Sequence, residues 1–219
     1  MLRDATARLG KGASGVLTVT TMVSFASLWL VPRLNDFRRL HPEIEVRIAA
    51  ANEFKDLERE GIDLAIRYCV PKVAGPLAVR LFGERVFPVC APELLRGGEL
   101  KSPRDIARMV LLHFQDADRS TPWLTWDVWL DLVRAPEVKA AGALRFSHYD
   151  QVIQAALAGQ GLALGRSPLV ARWLKDGKLI LPFGKRYMSS PADSRAYFIL
   201  TAQRSAQRPE TAAFSAWLQ

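Results

Sequence analysis

Residues 16–40, VLTVTTMVSFASLWLVPRLNDFRRL, constrain the fold more than any other part of this 219-residue chain. They open on Val16, Leu17 and Val19 with flanking threonines, a β-branched run suited to a buried strand. Phe25, Leu28, Trp29, Val31, Leu34, Phe37 and Leu40 then recur at helical spacing, which gives a helix one apolar face. Ser24 stands between the two and is the expected N-cap. A strand feeding a polar-capped helix offers unpaired amides and the positive end of a helix dipole, and open α/β sheets take ligands there. Pro32 removes one amide and is expected to kink the helix or restart it as a first helical residue. The competing reading is a plain βα unit whose serine caps its helix and does nothing more.

The alternation continues downstream. Residues 44–48 (IEVRI) alternate like a strand, 54–60 read as a short charged helix stopped by Gly61, and 62–68 (IDLAIRY) read as a third strand. That succession predicts a parallel sheet with right-handed crossovers. Residues 77–82 and 85–90 are further strand candidates, the second restricted in its pairing by Pro88.

A second half begins after residues 91–93. Ser102-Pro103-Arg104-Asp105-Ile106 starts a short helix, strands are predicted at 110–114, 144–146, 162–164 and 179–181, and helices at 151–158 and 168–175. Trp123, Trp126, Trp129, Leu130 and Val133 share helical spacing and read as core. Residues 187–194 read as a linker, 196–201 (AYFILT) as a last strong strand and 210–218 as an amphipathic helix. Polar strand-to-helix turns at Ser24 and at Ser147-His148-Tyr149-Asp150 suggest two lobes with a ligand cleft between them. The chain would cross near 87–90 and 190–197, and two crossings make a hinge.

Composition narrows the function. The formal charge of +8 invites an acidic partner, yet the basic residues are dispersed as short pairs such as Arg38-Arg39 and Lys185-Arg186, without a nucleic-acid stripe. No apolar run reaches the roughly 18 residues of a membrane span. The opening MLRDATARLGKGASG carries charges where a secretory signal is apolar, so a cytoplasmic protein without membrane attachment is expected. Cys69 and Cys90 lie in apolar runs without CxxC or metal-ligand spacing and are expected to be buried free thiols. His41, His113 and His148 form no zinc pattern and no GxSxG elbow occurs. Gly159-Gln160-Gly161, with Gly165 beyond, has the wrong spacing and place for a dinucleotide fingerprint. An enzyme, a metal and a cofactor are not expected.

Four segments carry a resemblance: FASLWLVPRLNDFRRLHPEIEVRI, GIDLAIRY, ERVFPVCAPELL and RFSHYDQVIQAALAGQGLALGRSPLV. In this order and spacing they resemble the effector-binding domain of LysR-type transcriptional regulators, in the branch of the glycine-cleavage activator and the β-lactamase-inducing regulator. The resemblance implies two periplasmic-binding-protein-like (type 2), Rossmann-like α/β subdomains joined by two crossover strands. Subdomain I would take residues 15–87 and 195–219 and subdomain II residues 88–194; residues 1–14, with a helical stub at Leu2–Leu9, resemble the end of a linker helix and its flexible exit. It further implies a small polar or anionic effector, amino-acid-like or carboxylated molecules being candidates, and a homodimer or homotetramer formed through the first long helix. DNA would be met only through a winged helix-turn-helix, which these residues do not contain. A stand-alone solute-binding protein of the same fold is the alternative, and the encoding gene would discriminate: an upstream helix-turn-helix for the one, a signal peptide for the other.

Carried over by position, the effector site would take Met22, Val23, Ser24 and Phe25, then Asn52 and Glu53, then Arg67 and Tyr68, and from the second lobe Ser147, His148 and Tyr149. Ser24 and the amides after it would hold an anionic or polar group, Arg67 would pair bidentately with a carboxylate, and Ser147 would bond from the opposite wall. Plainer roles compete. Ser24 and Ser147 could cap helices, Arg67 could sit in an ion pair with Asp63 or Glu53, and His148 could be a partly buried hydrogen-bonded histidine. Asp56 matches a position that influences the active/inactive balance in related regulators; its ordinary role is a surface helix charge.

Overall fold

The computed structural model describes residues 15–96, 98, 100–115, 121–189 and 194–219, so the expected stub at Leu2–Leu9 lies outside the described residues. The strands are β1 (Val16–Thr21), β2 (Glu45–Ala50), β3 (Leu64–Cys69), β4 (Val79–Arg80), β5 (Val86–Val89), β6 (Val110–Phe114), β7 (Gly142–Phe146), β8 (Leu162–Arg166) and β9 (Ala196–Thr201). They form two mixed sheets, in the orders β2-β1-β3-β9-β4 and β5-β8-β6-β7. The chain divides into two compact units after Phe82 and before Arg195, so β5 belongs wholly to the second lobe and the first break precedes the expected 87–90.

In the first lobe β1 pairs in parallel with β2 on one side and β3 on the other, while β9 runs antiparallel to β3. Every residue of β3 is buried, Arg67 included, as suits a largely apolar strand covered on both faces. An aromatic layer packs beside the sheet: Phe25 stacks on Trp29 at 4.9 Å and meets Tyr197 at 5.0 Å, and Phe37 meets Phe214 of the helix Pro209–Leu218 edge-on at 4.9 Å. Residues 54–60 do not form the expected helix. Asp56 Oδ1 accepts the Glu58 and Arg59 amides, each at 3.1 Å, which closes a turn ending at Gly61 with φ +68°.

The second lobe places β6 between β7 and β8, both parallel to it, and β5 antiparallel on the edge beyond β8. Pro88 sits in that edge strand, where its missing donor is tolerated. The expected strand at 179–181 reduces to one bridge, Cys90 to Ile180. The tryptophan helix begins at Trp126, not Trp123, because Thr125 caps it by accepting the Val128 amide at 3.4 Å. Trp126, Trp129 and Leu130 are buried core, as their spacing predicts. Gly161 answers to packing, since a Cβ there would lie 2.5 Å from the Val110 carbonyl oxygen.

Both cysteines are free and buried, as expected. Burial pushes the Cys90 thiol up to about 12 and also raises Cys69, against the pull of Arg195 and Arg67.

Candidate functional site

The chain leaves β1 toward β2 on one side and then returns across β1 to reach β3 on the other. This reversal makes the carboxyl ends of β1 and β3 the topological switch point of the first sheet. Met22 follows β1 in extended conformation, and four short helical pieces come after it without a break. They are an α-turn Val23–Phe25, a π-turn Ala26–Leu30, a 3-10 turn Val31–Arg33 around Pro32, and an α-helix Leu34–Leu40. Proline at residue 32 thus breaks the helical regularity as anticipated, and π-turns of this kind recur at functional sites.

Ser24 is not the N-cap. Met22 occupies that position with no side-chain bond, and Ser24 lies buried inside the first turn. The cap comes from the end of β2: Asn52 Oδ1 accepts the Val23 N–H at 3.2 Å. The Met22 carbonyl accepts the Ala26 N–H at 2.9 Å. Among the described residues the Ser24 and Phe25 amides are left without a hydrogen bond, at the positive end of the helical segment.

Arg67 does not point its charge outward. It is 2 % exposed and donates from Nη1 to the Ala51 carbonyl at 2.9 Å and from Nη2 to the Glu53 carbonyl and Thr20 Oγ1, both at 3.1 Å. Thr20 Oγ1 in turn donates to the Ala49 carbonyl at 2.8 Å, and the Phe54 ring lies 5.8 Å from the guanidinium carbon. The partner is therefore the Glu53 main chain, and Asp63 is engaged elsewhere. Burial draws the Arg67 pKa down, opposed by Glu53 and Cys69, yet a guanidinium stays cationic. Tyr68 packs its ring on Tyr197 at 4.8 Å and is buried. Thr20 went unnoticed in the sequence; its signal is a hydroxyl within an otherwise buried run. Thr21, next to it, is fully buried and its hydroxyl has no partner among the described residues.

The second lobe repeats the reversal, with β7 on one side of β6 and β8 on the other. Ser147 and His148 lie in the bend between β7 and the helix Tyr149–Leu157, both exposed. Side chains of neighbouring strand residues diverge, but these two have left the strand, and Ser147 Oγ comes within 3.0 Å of His148 Nδ1. His148 takes the cap position without a side-chain bond, so neither residue caps the helix by its side chain, and His148 is exposed rather than partly buried. Tyr149 is buried: its hydroxyl donates to the Leu164 carbonyl at 2.9 Å and accepts the Arg166 N–H at 3.0 Å. Burial raises its pKa, and this hydroxyl serves the fold. Beside it is a cavity of about 20 Å³ lined by His113, Thr125 and Tyr149, room for one water.

Among the described residues no group of histidine, cysteine, aspartate and glutamate side chains could hold a metal ion, and no helix is long and apolar enough to cross a membrane.

Residues 10–219 match the family described as LysR substrate binding domain. The Glycine cleavage system transcriptional activator of Escherichia coli K12 is 36% identical over 219 residues, 99% of this chain and 68% of that protein. The HTH-type transcriptional activator AmpR of Rhodobacter capsulatus is 31% identical over 212 residues, 93% of this chain and 65% of that protein. Among solved structures, the effector domain of the transcriptional regulator AmpR of Pseudomonas aeruginosa aligns with a TM-score of 0.67 at 29% identity, covering 93% of each chain.

Proposed function

The chain belongs to the LysR substrate-binding-domain family, and from that premise we propose that it senses a small polar or anionic metabolite at the strand-to-helix turn of its first lobe. It is an effector-binding domain of the LysR type, with periplasmic-binding-protein-like α/β lobes. The observation that carries the proposal is the pair of unbonded amides at Ser24 and Phe25, backed by a helical segment that runs to Leu40. Two adjacent N–H donors at the positive end of a helix suit a carboxylate or a carbonyl oxygen. Arg67 supports this pole from behind and supplies no direct ion pair in the proposal. In the second lobe the exposed Ser147 and His148, with the Tyr149 backbone, form the corresponding polar strand-to-helix turn and are proposed as ligand-contacting residues of that lobe. The relatives named above are transcriptional regulators, which favours sensing over stand-alone solute capture or catalysis. DNA binding and a cytoplasmic location are proposed for the whole regulator of which such a domain is part.

Asn52 offers a clean test. Asn52→Asp keeps an acceptor for the Val23 amide but sets a carboxylate at the pole, where it repels an anionic ligand by about 1.4 kcal/mol or more at short range. In a thermal-shift screen of amino acids and short carboxylates, a hit at a hundredfold excess over Kd stabilises by about 2.7 kcal/mol. Its affinity is expected to fall about tenfold in Asn52→Asp; an unchanged affinity would overturn the assignment.

Self-association is proposed on separate grounds. β2 is a sheet edge with Glu45, Arg47, Ala49 and Ala50 exposed, and Val31 and Leu40 of the helical segment are 56 % and 65 % exposed. Among the described residues β2 pairs on one side only, and an edge strand together with exposed apolar side chains invites a second copy. Sedimentation at micromolar concentration is expected to give a dimer or tetramer that Leu40→Glu shifts toward monomer. A strictly monomeric native chain would contradict it.

A further inference from the structure

We infer that Arg67 is a positioning residue for the ligand pole, acting through the Ala51–Glu53 turn and Asn52 rather than by touching ligand. This rests on the reading of the Ser24 turn as that pole. One guanidinium grips the carbonyls on both sides of Asn52, at 2.9 Å and 3.1 Å, and braces against Thr20 Oγ1 of β1 at 3.1 Å. The Ala51 amide is tied to the Thr21 carbonyl at 2.9 Å, so the turn is fixed from two sides. Between those anchors the Asn52 side chain reaches the Val23 N–H, 29 residues away in the chain, at 3.2 Å.

The consequence is chemical. With the Val23 donor occupied by Asn52 and the Ala26 donor by Met22, the open donors narrow to Ser24 and Phe25. If the turn drifts, the Val23 N–H is released and the pole gains a third donor in a different place. Arg67 thereby sets which amides a ligand meets. Lysine cannot substitute, because a single ammonium on a flexible stem lacks the planar fork that spans two carbonyls and a hydroxyl.

Amide hydrogen exchange by NMR on the ligand-free chain tests this without any effector, so its outcome is independent of whether the pole binds an anion. Losing one hydrogen bond of ordinary strength speeds exchange about three- to tenfold. Asn52→Ala is expected to raise the Val23 exchange rate by that factor while the Val19 amide in β1 is unmoved. Arg67→Lys is expected to raise Val23 over Val19 by a similar factor. The double variant should show no more than either single one, as steps in one relay do. Asn52→Asp should restore protection in an Arg67-intact chain. Thr20→Val, close in shape and lacking one of the three acceptors, is expected to raise Val23 exchange at least about twofold and serves if Arg67→Lys fails to fold. The inference is overturned if Arg67→Lys speeds Val19 and Val23 equally, if the two substitutions add, or if Thr20→Val leaves Val23 unchanged.

Discussion

Replacing Glu84 with alanine is expected to destabilise the second lobe by about 3–5 kcal/mol, because it breaks a buried ion pair by removing one of its charges. Glu84 Oε2 lies 2.8 Å from Arg166 Nε, and the two side chains are 0 % and 5 % exposed. Trp123 Nε1 approaches Glu84 Oε1 at 3.4 Å, and the Arg166 guanidinium covers the Tyr149 ring at 5.4 Å. The Tyr149 hydroxyl in turn holds the main chain of β8. Water can replace the lost carboxylate only by opening that packing. Glu84→Gln retains an acceptor and should fall between alanine and native. Urea unfolding followed by tryptophan fluorescence reads the effect, and a loss below about 1 kcal/mol would place the pair among ordinary surface bridges.

The second large effect falls on Asp63, at the start of β3 and the end of that strand opposite Arg67. Its Oδ2 accepts the Thr18 amide at 2.8 Å, and Oδ1 accepts from the Ser205 hydroxyl at 2.6 Å and Arg208 Nη1 at 2.8 Å. Arg208 also donates to the Val16 carbonyl at 2.9 Å, so the carboxylate joins β1, β3 and the C-terminal segment. Asp63→Ala removes the acceptor and leaves three donors unanswered, for an expected loss of about 3 kcal/mol in the first lobe. Burial alone would raise the Asp63 pKa, but Ser205, Thr18 and Arg208 outweigh it and hold the carboxyl below its usual value. The folded pKa is the lower one, so this stabilisation is complete above the unfolded value of about 3.9 and fades as pH falls through the folded one. Native stability should therefore drop below about pH 4 more steeply than that of Asp63→Asn. Parallel acid profiles for the two proteins would remove Asp63 from the account.

The strands were readable because residues such as Leu17, Val19, Leu64 and Ile66 sit in β-branched apolar runs suited to a sheet interior. Trp126 and Trp129 were readable as core for a similar reason, since side chains of that size must be covered. The site was readable in place but not in wiring. Ser24 has the right chemistry for a cap, yet the cap is Asn52, chosen by a β2 end that only the folded sheet brings alongside. Arg67 stands out as a cation in an apolar run, but its partners are main-chain carbonyls, which carry no sequence signal. Residues 54–60 have helical composition, and Asp56 diverts them by taking the amides of Glu58 and Arg59. In each case a tertiary or local side-chain bond overrode a correct local preference.

The proposed receptor for the effector is the pair of open amides at the head of the first helical segment. Titrating the isotopically labelled chain with small amino acids and carboxylates, while following backbone amide resonances, tests this assignment most directly. A ligand that stabilises the domain is expected to move the Ser24 and Phe25 amide protons downfield more than any other first-lobe amide, with Val23 little changed. A ligand that binds and stabilises while leaving both resonances where they were would contradict the claim.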